Sequence, residues 1–128
     1  MISLADYYMG RDVEYGHELD AQKRANAADT VSKVNLLLAA FGEQRTVNSG
    51  FRPAAINGAT PGAAVKSKHM TCQACDLADP DGDLDEWALE HPGELELIGL
   101  WQEHPSATKG WAHFQIVPPK SGKRVFYP

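Results

Sequence analysis

The longest regular pattern in this chain is one amphipathic stripe, and any fold must give it an apolar surface to cover. Between Asp20 and Phe41, apolar side chains recur at i, i+4, i+7, i+11 and i+14. They are Ala27, Val31, Val34, Leu38 and Phe41. Asp20 is suited to cap the N-terminus of a helix, and Gly42 is suited to end it. The pattern predicts a scaffold helix that packs across a sheet.

Short segments of β-branched or alternating residues predict that sheet. The strands are expected at residues 45–49, 74–78, 95–100 and 111–117. A short helix is expected at residues 84–91, and loops at residues 54–66 and 101–110. Residues 124–127 are expected to pack back onto the domain. The expected fold is therefore α+β, with a small antiparallel sheet packed by one long helix and one or two short ones.

Length and charge limit the functional classes. The 128 residues suit a single domain, residues 1–128, with a sizeable core. The net charge of −5 argues against a nucleic-acid partner. No apolar run is long enough to span a membrane, and the N-terminus shows no basic segment and no long apolar stretch, so we expect no signal peptide. We expect a monomer that is cytoplasmic as synthesised.

Three residues form a candidate metal site. His69 and Asp76 are seven residues apart, and His113 lies far downstream. Two imidazoles and one carboxylate can hold Zn²⁺ with its fourth position open, as in catalytic zinc sites. The spacing of seven is not that of a helical His-Glu-x-x-His motif, and suits a strand or turn that leaves the metal and returns. On spacing alone, His69 and Asp76 are more often ordinary polar loop residues.

Three motifs frame these residues. They are Ser67-x-His69-x-x-x-x-Ala74-x-Asp76, the preceding Ser49-Gly50-Phe51-Arg52-Pro53, and the later Trp111-x-His113. Together they resemble the zinc D-alanyl-D-alanine carboxypeptidase and peptidoglycan endopeptidase family, whose fold is shared with lysostaphin-type peptidases and the hedgehog signalling domain. The similarity covers residues 44 to 117. It implies a hedgehog/DD-peptidase-like fold and one Zn²⁺ bound by His69, Asp76 and His113.

The resemblance also implies an activity. A zinc ion in such a site lowers the pKa of its water and polarises a peptide carbonyl. We therefore expect hydrolysis of peptidoglycan stem peptides or cross-links by a phage-type endolysin or an accessory wall hydrolase that acts once it is released. Both D,D- and L,D-peptidase activity, as carboxypeptidase or endopeptidase, fit the motifs.

Four further residues are expected to face the substrate. The family arginine matching Arg52 lies in the site and contacts the substrate or the polarised carbonyl, although a structural salt bridge is the alternative. Ser67 is placed to orient His69. Trp111 and Gln115 share a strand face with His113 and are expected to line the substrate site.

The general base is the point at which the chain departs from the family pattern. Many members have Asp or Glu three residues before the last histidine, where this chain has Gly110. We predict Glu103 as the general acid/base, with His104 second and Glu94 and Glu96 weaker candidates. If no carboxylate reaches the metal, the alternative is a non-catalytic, zinc-stabilised binding domain on the same fold.

The two cysteines, Cys72 and Cys75, form a Cys-x-x-Cys pair with three interpretations. The pair is a redox dithiol, or it joins His69 and His113 in a structural zinc site, or it consists of two small buried residues. We favour plain packing, because the zinc arrangement leaves Asp76 without a role. A disulfide is not expected in a reducing cytoplasm.

Overall fold

The structure is a computed structural model that describes residues 1–128. The helices are α1 (Leu4–Tyr8), α2 (Arg11–Glu14), α3 (Ala21–Phe41), α4 (Ala54–Ala59), α5 (Asp83–Glu90) and α6 (Pro92–Ile98), with short 3-10 helices at Gly16–Glu18 and Pro105–Ala107. The strands are β1 (Val47–Ser49), β2 (Ala74–Asp79), β3 (Trp101–Glu103), β4 (Gly110–Gln115) and β5 (Val125–Phe126). They form one sheet in the order β1-β2-β4-β3-β5, antiparallel except for the β3–β5 pair. The predicted α+β class is confirmed.

Helix α3 has the predicted limits. The Asp20 side chain accepts a hydrogen bond from the Lys23 amide at 2.8 Å and so satisfies one unpaired donor of the first turn. Gly42 ends the helix with φ of 92°, a left-handed conformation that glycine adopts without steric cost. The buried side chains of the helix are Ala27, Thr30, Val31, Val34, Leu37 and Leu38. No helix in the chain is both long enough and apolar enough to cross a membrane.

The two long strands separate the core from a polar face. Cys75 and Leu77 on β2, and Ala112 and Phe114 on β4, are fully buried in the same core cluster as α3. Because side chains alternate along a strand, the residues between them point to the opposite face. The sheet therefore packs on the helices with one face and presents the residues at alternate positions on the other.

One predicted loop contains a helix. Residues 54–66 were expected to be irregular, but α4 occupies Ala54–Ala59. Pro53 precedes it with φ of −62°, and its missing N–H costs nothing at a helix start. The alanines that follow have the highest helix propensity and outweigh Gly58 for one and a half turns.

The expected strand at residues 95–100 is wrong, because Pro92 starts a second helix shortly after α5 ends at Glu90. Helix α6 covers Pro92–Ile98, buries Leu95 and leaves Leu97 82% exposed. Gly99 ends it with φ of 91°. The strand comes later, as β3 at Trp101–Glu103, within the segment predicted as a loop.

The C-terminal segment packs back as predicted. Strand β5 lies beside β3, where the backbone N–H of Gln102 donates to the backbone carbonyl of Arg124 at 2.9 Å. The His104 amide donates to the Phe126 carbonyl at 2.7 Å. The tail thereby becomes an edge of the sheet, next to β3.

Candidate metal centre

One row of side chains crosses the sheet on its polar face. Asp76 on β2 pairs with His113 on β4 and, on its other side, with Ser49 on β1. The β3–β4 register, continued by one residue, brings Glu103 opposite His113. Glu103 pairs in turn with Phe126 on β5. Residues that are distant in sequence thus lie side by side because the strands are in this register.

His69 approaches the row from the turn before β2. Its Nδ1 lies 2.9 Å from the carbonyl oxygen of Gly50, and its Nε2 lies 3.3 Å from Oδ2 of Asp76. Because a carbonyl only accepts, Nδ1 carries the hydrogen and Nε2 faces the carboxylate. Ser67 Oγ accepts a hydrogen bond from the His69 amide at 3.2 Å and helps to fix the turn.

His113 meets the same carboxylate from the other side. Its Nδ1 lies 2.7 Å from Oδ1 of Asp76, and its Nε2 lies 3.0 Å from Oε1 of Gln115. The two imidazole rings are 5.4 Å apart, inclined at 71°. The carboxylate of Asp76 therefore contacts one nitrogen of each histidine.

The three groups fit a zinc ion. One donor atom each from His69, Asp76 and His113 lies within 4.8 Å of the others. Two imidazole nitrogens and a carboxylate oxygen are donors that zinc prefers, and three protein ligands are the number found in catalytic zinc sites. The spacing of seven residues is thus explained by a turn that carries His69 followed by a strand that carries Asp76.

Both cysteines lie in the core and take no part in this cluster. Cys72 and Cys75 are free thiols with no exposed surface. Burial raises the pKa of Cys72 to about 12 and also raises the pKa of Cys75. Such thiols are neutral at physiological pH and are poor nucleophiles and metal ligands. The arrangement supports packing over a redox dithiol or a mixed Cys/His zinc site.

The Asp76 carboxylate is held in its ionised form. Burial alone would raise the pKa of Asp76, but His69 and His113 outweigh it and keep that pKa below its usual range. Burial likewise opposes a charged His113, yet its hydrogen bond to Asp76 raises the pKa of His113 above the ordinary value. An ionised carboxylate is the form that a metal ligand requires.

Glu103 reaches the site from β3. Its Oε2 lies 3.8 Å from Nδ1 of His113. Burial raises the pKa of Glu103, although the adjacent His113 opposes the change. Gly110, where many relatives have a carboxylate, begins β4 with φ of 93°. The structure thus brings the residue predicted as general base next to the cluster of His69, Asp76 and His113.

The other candidates for the general base lie elsewhere. The ring of His104 stacks on Tyr127 with 4.5 Å between centroids, and its Nδ1 contacts the hydroxyl of Ser106 at 2.9 Å. Glu94 and Glu96 are on α6, which packs against α3 and α5. Glu103 is therefore the acidic residue, apart from Asp76, whose carboxylate approaches a histidine of the cluster.

Arg52 lies beside Asp76, and three oxygen atoms hold its guanidinium. Its Nη1 donates to Oδ1 of Asn57 at 3.2 Å, and its Nη2 donates to Oγ of Ser49 at 3.3 Å. Nη2 is also 3.8 Å from Oδ2 of Asp76. The guanidinium is thus fixed next to the carboxylate, with 12% of the side chain exposed.

The remaining predicted substrate contacts differ in exposure. Trp111 is half-buried and shares a strand face with His113. Gln115 is 4% exposed and contacts the ring of His113. Ser67 contacts the backbone of His69. Trp111 is therefore open to a ligand, whereas Gln115 and Ser67 contact the metal-site histidines themselves.

Two contributors were not predicted from the sequence. Gly50 supplies the carbonyl that binds His69, and a Cβ at this position would overlap the carbonyl oxygen of Tyr7. The ring of Phe126 lies edge-on to His113, with 6.2 Å between centroids at 85°. Gly50 belongs to the Ser-Gly-Phe-Arg-Pro motif, so the sequence did point to this position. Phe126 had no such signal, because it reaches the site through a long-range pairing of a two-residue strand.

A family profile described as Peptidase M15 matches residues 10–95, about two thirds of the chain. The match includes His69 and Asp76, and it ends before Glu103 and His113. Searches of curated proteins and of solved structures found no significant match to the chain. The chain belongs to the peptidase M15 family of zinc D-alanyl-D-alanine carboxypeptidase-like metallopeptidases.

Proposed function

We propose that this chain is a zinc-dependent peptidase that hydrolyses peptide bonds in peptidoglycan stem peptides or cross-links, with residues 1–128 acting as one domain. The observation that carries the proposal is the row of Asp76, His113 and Glu103 across three strands, with Nε2 of His69 3.3 Å from Asp76. Such a row combines a three-ligand metal site with an adjacent carboxylate, which are the two parts that a metallopeptidase needs.

The proposed ligands are Nε2 of His69, the carboxylate of Asp76 and Nδ1 of His113. A zinc ion held there would supply Lewis acidity to the scissile carbonyl and lower the pKa of water. The remaining work falls to groups of the chain, whose positions are set by the strand register and the hydrogen bonds described above.

Glu103 is the proposed general acid/base. Its carboxylate takes a proton from the attacking water and then gives that proton to the nitrogen of the leaving amine. A carboxyl with a raised pKa is better matched to this second transfer than an exposed glutamate, because it holds the proton closer to neutral pH. Its distance of 3.8 Å from Nδ1 of His113 supports this role.

Arg52 and Trp111 are the proposed substrate contacts. The guanidinium of Arg52 is anchored by Asn57 and Ser49, so it presents a fixed positive charge to a substrate carboxylate or to the carbonyl oxygen that gains charge. Trp111 on the strand of His113, and Phe126 edge-on to the His113 ring, supply apolar surface. Ser67 acts through His69.

A phage-type endolysin or an accessory wall hydrolase is the setting we propose, with the wall as target after release. Both D,D- and L,D-linked peptides are candidate substrates. The competing function is zinc binding without turnover, which the glycine at position 110 favours. Glu103 is the specific observation that favours catalysis.

The test is digestion of purified peptidoglycan by the zinc-loaded protein, beside the chelator-treated protein and His113→Ala. Mass spectrometry of the soluble products identifies the new amino and carboxyl ends and hence the bond. We expect zinc-dependent release of peptides by the wild type alone. One zinc per chain with no product from walls of several cross-link types would establish the binding domain instead.

A further inference from the structure

Gln115 has two hydrogen bonds that together fix the direction of its side-chain amide. Its Oε1 lies 3.0 Å from Nε2 of His113, and its Nε2 donates to the carbonyl oxygen of Val117 at 2.9 Å. The residue is 4% exposed, so water offers little alternative to either contact.

The Val117 carbonyl decides which end of the amide faces His113. A carbonyl oxygen only accepts hydrogen bonds, so the amide nitrogen of Gln115 must point towards it. Turning the amide over would place two oxygens against each other at that position. The oxygen of Gln115 therefore faces Nε2 of His113, which must carry a hydrogen to bond to it.

The alternative form of His113 would hinder metal binding. Without metal, Oδ1 of Asp76, 2.7 Å from Nδ1, can accept a hydrogen from that nitrogen. A neutral imidazole carries only one hydrogen, so a hydrogen on Nδ1 would occupy the atom that faces the site. His69 is arranged in the opposite sense, since the Gly50 carbonyl holds its Nδ1 and leaves Nε2 free.

We propose that Gln115 is a positioning residue that keeps the hydrogen of His113 on Nε2, so that Nδ1 offers its lone pair to the metal. This role differs from the substrate contact that the sequence predicted for Gln115. It rests on the proposed metal site. The chain of contacts runs from a backbone carbonyl through an amide to the ligand, and groups that orient metal-binding histidines in this way strengthen metal affinity.

The first test compares zinc affinity in two variants. Gln115→Met keeps the length of the side chain and removes both hydrogen bonds. Gln102→Met is the matched control, because Gln102 is a fully buried glutamine on the neighbouring strand whose amide binds Asp85 and does not contact His113. In competition with a chelator, we expect Gln115→Met to lose about 10–100-fold in affinity. The control should stay within about twofold of wild type.

The second test reads the histidine directly in the folded wild type. Long-range ¹⁵N–¹H correlation spectra of the zinc-loaded protein distinguish the nitrogen that carries a hydrogen from the one that binds metal. We expect His113 to bind through Nδ1 and His69 through Nε2.

The outcomes separate this inference from the proposed function. Zinc bound through Nε2 of His113, or equal loss of affinity in both glutamine variants, would overturn the role of Gln115 and leave the peptidase proposal intact. Failure of the wild type to bind zinc at all would overturn both. If Gln115→Met does not fold, the wild-type spectrum still decides the question.

Discussion

Asp76 and His113 lie directly opposite each other on neighbouring antiparallel strands, and Nδ1 of His113 is 2.7 Å from Oδ1 of Asp76. Two of the three proposed metal ligands are therefore aligned by backbone pairing alone. The third, His69, is tied to the carbonyl of Gly50. Because folding places all three, the site needs little rearrangement to bind a metal.

Asp76→Asn should abolish tight zinc binding. The amide keeps the shape of the side chain but loses the negative charge between the two histidines. Loss of an orienting group costs about 10–100-fold in affinity, so loss of a ligand should cost at least about 100-fold. Chelator competition measures the change, with the exposed Asp81→Asn as control. Wild-type affinity in Asp76→Asn would exclude this carboxylate as a ligand.

The metal-free protein should be most stable between about pH 4 and 6.5. Asp76 raises the pKa of His113 in the folded state. The ionised His113 therefore stabilises the fold fully below the pKa of an unfolded histidine, about 6.5, and this stabilisation is lost as the pH rises through the folded-state pKa. The pKa of Asp76 is lowered in the folded state. The ionised Asp76 therefore stabilises the fold fully above the pKa of an unfolded aspartate, about 3.9, and this stabilisation is lost as the pH falls through the folded-state pKa.

Thermal unfolding of the chelator-treated protein at pH 6 and pH 9 measures this dependence. The wild type should lose more stability across that range than His113→Asn does. His104→Asn, which alters a histidine stacked on Tyr127, should behave as wild type. An equal fall in wild type and His113→Asn would show that the ion pair does not contribute.

The family resemblance implied the three proposed ligands, and periodicity in the sequence predicted how two of them are arranged. Alternation along residues 74–78 and 111–117 places Asp76 and His113 on one face of the sheet, and the apolar residues between them on the face that packs against α3. The segment around Leu95 was assigned to the wrong class, because a short apolar run fits a buried strand and a helix equally well. The proline at its start was the informative signal, since proline suits the first turn of a helix as well as its end.

Periodicity could not predict the residues that reach the site through contacts between distant segments of the chain. Glu103 was chosen as a base from its position in the chain, but its place beside His113 depends on the β3–β4 register. Phe126 reaches the row through a strand of two residues, which is too short to show a period. Gly50 is required by the close approach of the Tyr7 backbone, a contact between segments that are far apart in sequence.

Gly50→Ala should destabilise the protein and weaken zinc binding together. The new Cβ would overlap the Tyr7 carbonyl, and overpacking of this kind costs about 1–3 kcal/mol or more. It would also shift the carbonyl that holds His69. Gly58→Ala on α4 is the matched control, because its Cβ meets nothing within 4 Å and should stabilise the helix by about 0.5–1 kcal/mol. Denaturant unfolding compares the two, and equal stabilities would contradict the close approach.

Neither cysteine should react in the native protein or matter for the metal. Burial raises the pKa of Cys72 to about 12, so its thiolate is scarce at pH 8. Alkylation with iodoacetamide should be slow until denaturant is added, as mass spectrometry will show. Cys72→Ala and Cys75→Ala should each bind one zinc per chain. Loss of zinc in either variant would return the cysteines to the list of ligands.

Glu103 is proposed to supply the general base to a zinc site built by His69, Asp76 and His113. The most direct measurement is the rate of peptidoglycan hydrolysis, with zinc content, for Glu103→Gln beside Glu96→Gln, an exposed glutamate on α6. We expect Glu103→Gln to keep one zinc per chain and lose about 10²–10⁴-fold in rate, while Glu96→Gln cuts as wild type. Hydrolysis at the wild-type rate by zinc-loaded Glu103→Gln would show that Glu103 is not the general base.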